Sequence, residues 1–354
     1  MRRESRGGEG PGLDKPPRVG ARWLFHSGYE AWSCGFVRIA PWVQGDVAMT
    51  TGLRVADLSE VARAGAPTMI GRQPLLLPPL TGEALTAWER LARIRGPGER
   101  RAALLAMLLT PASSRERQAW NEEMAGVPTA VLVHTQVQLL PPEARLPVLE
   151  RLLDIAADVS LAERQGLLRS ARRIMCADGR VAPLDRLRWL MMRHRLSGHT
   201  SLHRGGLRES NDLAGLPLAM RLAVARFTAY LARLVPEPAE TGLVGAPGAA
   251  WYHDVVTVLW GTAPDPPPCQ PPDVDGLGRS LQTLAELAWM RRPLLARTWT
   301  DAALPFWQRR GSRTDRLVGA EALRMACALL DTPVPPMLGR LFVEPPLAMH
   351  TVAA

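Results

Sequence analysis

Lysine is almost missing from this chain: of its 43 Lys and Arg residues only Lys15 is a lysine. The formal charge of +9 and the pI near 10.5 would ordinarily point to nucleic acid or anionic lipid. An all-arginine excess among abundant Ala, Gly, Pro and Leu is instead the composition of GC-rich coding. The arginines also stand beside acids, as at Glu89-Arg90, Glu99-Arg100-Arg101 and Glu163-Arg164, which suits solvated helix faces with local ion pairs. A nucleic-acid partner is therefore not expected. Cysteine is sparse as well. Cys34, Cys176, Cys269 and Cys327 lie far apart, with no CxxC and no histidine at metal spacing, as expected of idle thiols in a reducing compartment. No run of about 18 apolar residues occurs, so no transmembrane segment is expected. No apolar stretch follows Met1-Arg2-Arg3, so a secretory signal is not expected either, and the cytoplasm is the default location.

What is present fits a folded helical protein. Apolar residues make up 47% and charged residues 22% of 354, a globular balance. The length favours two helical domains over one. Residues 1–75, rich in Gly, Pro and Arg with aperiodic aromatics, are expected to be an irregular tail, and Met49 is a candidate alternative start. A helical domain is expected over 76–235, proline-rich linkers around a short helix over 236–276, a second helical block over 277–343 and a tail over 344–354.

Helix starts can be read directly. Ser113 with Glu116 and Ser160 with Glu163 have the spacing of a capping box, in which hydroxyl and carboxylate each satisfy an orphan N–H. Pro183 suits a first helical turn, and Asp185 suits the positive end of that helix's dipole. Apolar residues then recur once per turn: Leu149, Leu152, Leu153 and Ala156; Leu167, Leu168, Ala171 and Ile174; Leu187, Leu190, Met191 and His194. Each set is one face of a helix that needs a neighbour. The nearest approach to strand alternation, Ala130 to Leu140, reads equally well as a buried helix. An all-α helical bundle follows.

Chemistry-bearing motifs are absent. No His-Glu-x-x-His, nucleophile elbow, phosphate loop or dinucleotide fingerprint occurs, so no catalytic residue and no cofactor is expected. His194, His199 and His203 cluster in sequence, but their spacing does not place them on one face. Asp273-Val274-Asp275-Gly276 lacks the closing glutamate of a calcium loop and reads as a turn before a helix. The stretch Ala177-Asp178-Gly179-Arg180-Val181-Ala182-Pro183-Leu184-Asp185 is the most informative local feature. Turn and cap chemistry accounts for it, while Asp178 and Asp185 are also the candidate ligands for a hard cation, if further donors come from elsewhere.

That stretch, with Leu140 to Glu150 before it and the helix to His194 after it, resembles the C-terminal extension of bacterial HtpX-like membrane zinc metallopeptidases. The Ala-Asp-Gly loop is similar to that of TerB-like domains of tellurite-resistance proteins. A second echo runs from Leu281 to Arg297 and from Glu321 to Leu338. The family's peptidase domain and zinc motif are missing, and Gly311-Ser312-Arg313-Thr314-Asp315 stands where another Ala-Asp-Gly loop would fall. The resemblance implies two TerB-like helical blocks forming a non-catalytic interaction module with a protein partner, a membrane-associated peptidase or stress system being one such partner. A detached peptidase accessory part and a metal- or metalloid-responsive binder are the alternatives it leaves open.

Overall fold

A computed structural model describes residues 79–197, 212–239, 242–261, 265–309 and 313–344. These all fall in one compact unit, and the expected N-terminal tail, Cys34, His199 and His203 lie outside them. The described residues form thirteen helices and no strand: α1 Gly82–Ala92, α2 Pro97–Ala106, α3 Ser114–Glu123, α4 Ala130–Leu139, α5 Pro142–Ala157, α6 Leu161–Met175, α7 Pro183–Leu196, α8 Leu218–Leu231, α9 Ala246–Trp260, α10 Val274–Leu284, α11 Arg291–Arg309, α12 Arg313–Leu329 and α13 Pro336–Gly339. The protein is all-α. Among the described residues no helix is long and apolar enough to cross a membrane.

Helix starts obey local chemistry. At α6 the Ser160 hydroxyl accepts from the Glu163 N–H at 3.3 Å, and the Glu163 carboxylate accepts from the Ser160 N–H at 3.1 Å, the full reciprocal cap. At α3 only half of it forms. Ser113 accepts from the Glu116 N–H at 3.0 Å, but the Ser113 N–H donates to the Thr110 carbonyl. The freed Glu116 carboxylate accepts from the Thr110 N–H at 2.6 Å instead. Asp273 caps α10 by accepting from the Gly276 N–H at 2.7 Å, so this segment is the expected turn before a helix.

The periodic stripes are the core. Leu149, Leu152, Leu153 and Ala156 of α5, Leu167, Ala171 and Ile174 of α6, and Leu187 and Met191 of α7 are all buried. Helix α4 packs on α1 and α2, α6 on α3 and α7, and α5 on α7, while α8 packs on α9 and α10 and α11 on α9 and α12. Contact of α7 with α12 brings sequence-distant helices face to face. Pro147 sits inside α5 and cannot supply an N–H to the Glu143 carbonyl one turn earlier. The Val343 N–H takes that carbonyl at 3.1 Å, so the proline opens a docking point for the segment after α13.

The proline-rich stretch after α8 departs from a plain surface connection. Pro236 is buried, as is Gly248, and α9 already begins at Ala246 with Pro247 in its first turn, where a missing N–H costs nothing. Residues 265–272 do run along the surface; there the Tyr252 hydroxyl donates to the Pro267 carbonyl at 2.9 Å.

Candidate functional site

The Ala-Asp-Gly loop closes α6 and opens α7. The Gly179 N–H donates to the Cys176 carbonyl at 2.9 Å, and Gly179 has φ +72 with open space around it. Glycine is there for the left-handed backbone and not for close packing. At the far end of the loop the Tyr230 hydroxyl of α8 donates to the Pro183 carbonyl at 2.9 Å. Burial pushes the Tyr230 phenol up to about 12, so it remains a donor at neutral pH.

The two acidic candidates have different surroundings. Burial raises the Asp185 pKa, against the pull of Arg188 and of the Ala182 N–H, and one Asp185 oxygen accepts from Arg188 at 3.2 Å. Asp178 is half-buried in the loop. Both charges bear on a third carboxylate, Glu116 of α3. Glu116 is raised first by its own burial, is drawn down by its Thr110 hydrogen bonds, and is pushed up again by Asp185 and Asp178. Spacing had marked Glu116 as a cap only, and nothing local links it to a loop about 60 residues away. Among the described residues, no group of three or more His, Cys, Asp and Glu is placed to hold a metal ion.

Beneath the loop, Arg188 joins a seam of charge between α5, α7 and α12. Its Nη2 donates to Glu321 of α12 at 2.9 Å. Burial works against the Arg188 charge, but Glu321 and Asp185 outweigh it and raise its pKa. Further along, Arg324 of α12 donates through Nε and Nη2 to one Glu150 oxygen at 3.0 and 2.7 Å. The same guanidinium lies 4.8 Å from the Phe342 ring centroid and pairs with Glu344. Arg195 of α7 donates to Asp154 at 2.5 Å, and Arg313 donates to Glu143 at 2.5 Å. His194 lies at the end of the seam, its Nε2 2.7 Å from Asp331. That contact gives its ring a polar partner beyond the end of α12, which its place in the apolar stripe does not reveal.

The seam is legible as recognition chemistry. Forked guanidinium–carboxylate pairs fix two helices in one register. Of the described cysteines, burial pushes Cys269 up to about 11 and Cys327 up to about 12. Both stay protonated, and so poorly nucleophilic, at neutral pH. Comparison of the chain with protein-family models, with curated proteins and with solved structures finds no match.

Proposed function

We propose that the chain is a helical protein-interaction module that docks a partner on the outer face of α4. Among the described residues, α4 is the one helix longer than a single turn that carries no Asp, Glu, Lys or Arg. Its inner residues Ala130, Val133 and Val137 are buried. Its outer residues Val131, Leu132 and Leu139 are 72%, 56% and 38% exposed and fall within an arc of roughly 100°. The sequence reading of a buried helix therefore holds for one side only, and the exposed apolar side is the observation that carries the proposal. Such a stripe fits a partner that offers an apolar helix face or groove. The TerB-like resemblance adds a membrane-associated peptidase as the class of protein to look for.

A photo-reactive side chain placed at Leu132 in the living source cell tests this. The expected result is one discrete crosslinked protein, lost when Val131→Glu is added and absent when the probe sits at the exposed Arg297. Identical products from both probe positions, or none from Leu132, would remove the proposal.

A further inference from the structure

The turn between α8 and α9 is gripped by backbone contacts. A Cβ on Gly248 would lie 2.0 Å from the Ala232 carbonyl oxygen, and one on Gly319 of α12 would lie 2.7 Å from the Pro236 carbonyl oxygen. The Trp307 indole N–H donates to that same Pro236 carbonyl at 2.8 Å. With Pro236 fixed in this way, Pro247, Phe306 and Trp307 join it in an apolar lining around a cavity of about 430 Å³. The size falls within the range of small-ligand sites, and a floor held by the fold costs little ordering on binding.

Three charged side chains line the same cavity: Glu237, Arg309 and Arg316. Arg316 spends one nitrogen on the Trp307 carbonyl, Nη1 to O 3.3 Å, which orients its guanidinium and leaves the rest of the fork available. No hydrogen bond or ion pair engages Arg309 or Glu237 among the described residues. Seam arginines such as Arg188 and Arg324 are paired with carboxylates. Here two cations and an anion share one apolar hollow without pairing to each other.

We propose that this cavity binds a zwitterion with an apolar body, either a free apolar amino acid or the free ends of a short apolar peptide. The ligand carboxylate meets Arg309 and Arg316, in the charge-assisted geometry that guanidinium groups favour. The ligand ammonium meets Glu237, and its apolar side chain lies on Phe306, Trp307 and the two prolines. Each charged group lining the cavity then has a partner.

Calorimetric titration of the full chain with L-phenylalanine, its amide, its N-acetyl derivative and the Phe-Phe dipeptide tests the assignment. Phenylalanine is expected to bind saturably at up to millimolar concentration, and blocking either end to weaken binding about tenfold. Glu237→Gln should weaken phenylalanine but leave the N-acetyl derivative unchanged, while Arg316→Ala and Arg309→Ala should weaken phenylalanine but leave the amide unchanged. A dipeptide tighter than the free amino acid assigns the peptide source, and the reverse order assigns the amino acid. Arg309 is exposed, so its variant carries the test even where Arg316→Ala melts early. Absence of saturable binding by both phenylalanine and the dipeptide, or equal affinity for parent and blocked probes, overturns the proposal.

Discussion

The α5–α7–α12 seam and the α8–α9–α11 block are built on opposite principles within one helical unit. In the seam, Glu150, Arg188, Glu321 and Arg324 are largely buried and hold their helices together through ion pairs. In the block, Phe227, Trp251 and Trp299 are buried completely. There the Trp251 N–H donates to the Trp299 carbonyl and the Trp299 N–H to the Thr228 hydroxyl, each at 3.0 Å. Phe227 meets Trp299 edge-on, with centroids 5.7 Å apart. Charge specifies the first region and shape the second. The seam should therefore respond most to an unmatched charge, and the block most to a change of volume.

The largest effect is expected where shape leaves no room. Gly248→Ala puts a Cβ against the Ala232 carbonyl, a backbone atom that cannot swing aside, and should cost about 5 kcal/mol or prevent folding. Gly319→Ala, with its longer approach to Pro236, should cost about 2 kcal/mol. Urea denaturation ranks the two, and a reversed order would show that the turn after α8 yields more easily than its contacts imply. Next in size is the seam. Arg324→Met removes both hydrogen bonds to the buried Glu150 carboxylate and leaves it only Arg195, at 3.8 Å; it should cost about 3 kcal/mol, whereas Arg324→Met with Glu150→Leu should return to within about 1 kcal/mol of the parent. A double variant that simply adds the two single losses would mean that packing, and not charge, governs this region.

These pairings mark the limit of what the sequence discloses. Ser160 with Glu163, Pro183 with Asp185, and the leucine stripes of α5 to α7 involve neighbours within two turns, so their spacing alone predicts them. Glu116 shows where such rules fail: its distance from Ser113 was right for a capping box, but Thr110 offered its carboxylate a second N–H. Arg188 follows Asp185 by three residues, which spacing could have flagged, but Glu321 lies 133 residues further on and no periodicity points to it. Gly248 and Gly319 look in sequence like helix-weakening residues, and only the tertiary approach of another backbone explains them. The exposure of Val131 and Leu132 was hidden for a related reason, since an apolar helix reads the same whether one side or both are covered.

A smaller contrast lies inside helix α3, where two glutamates answer pH in opposite directions. Burial alone would raise Glu123, but hydrogen bonds from Ser170 and Arg101 and the charges of Arg173 and Arg101 outweigh it, so its pKa is lowered from 4.5. Glu116 is raised from the same value, chiefly by burial. The sign of each contribution follows from linkage. A carboxyl depressed in the folded state stabilises fully above its unfolded value and loses that contribution as pH falls through the folded one. A raised carboxyl stabilises below its unfolded value and loses that contribution as pH rises through the folded one. Glu123→Gln should thus cost about 1.5 kcal/mol at neutral pH, the size of a hydrogen bond to a charged group, and progressively less as the solution is acidified below 4.5. Glu116→Gln, whose amide oxygen can still accept from the Thr110 N–H, should do the opposite, costing more in acid than at neutrality. Urea melts of both variants at about pH 4 and pH 7 read the two slopes directly. Parallel slopes would show that burial, and not the surrounding arginines, sets the charge state of both residues.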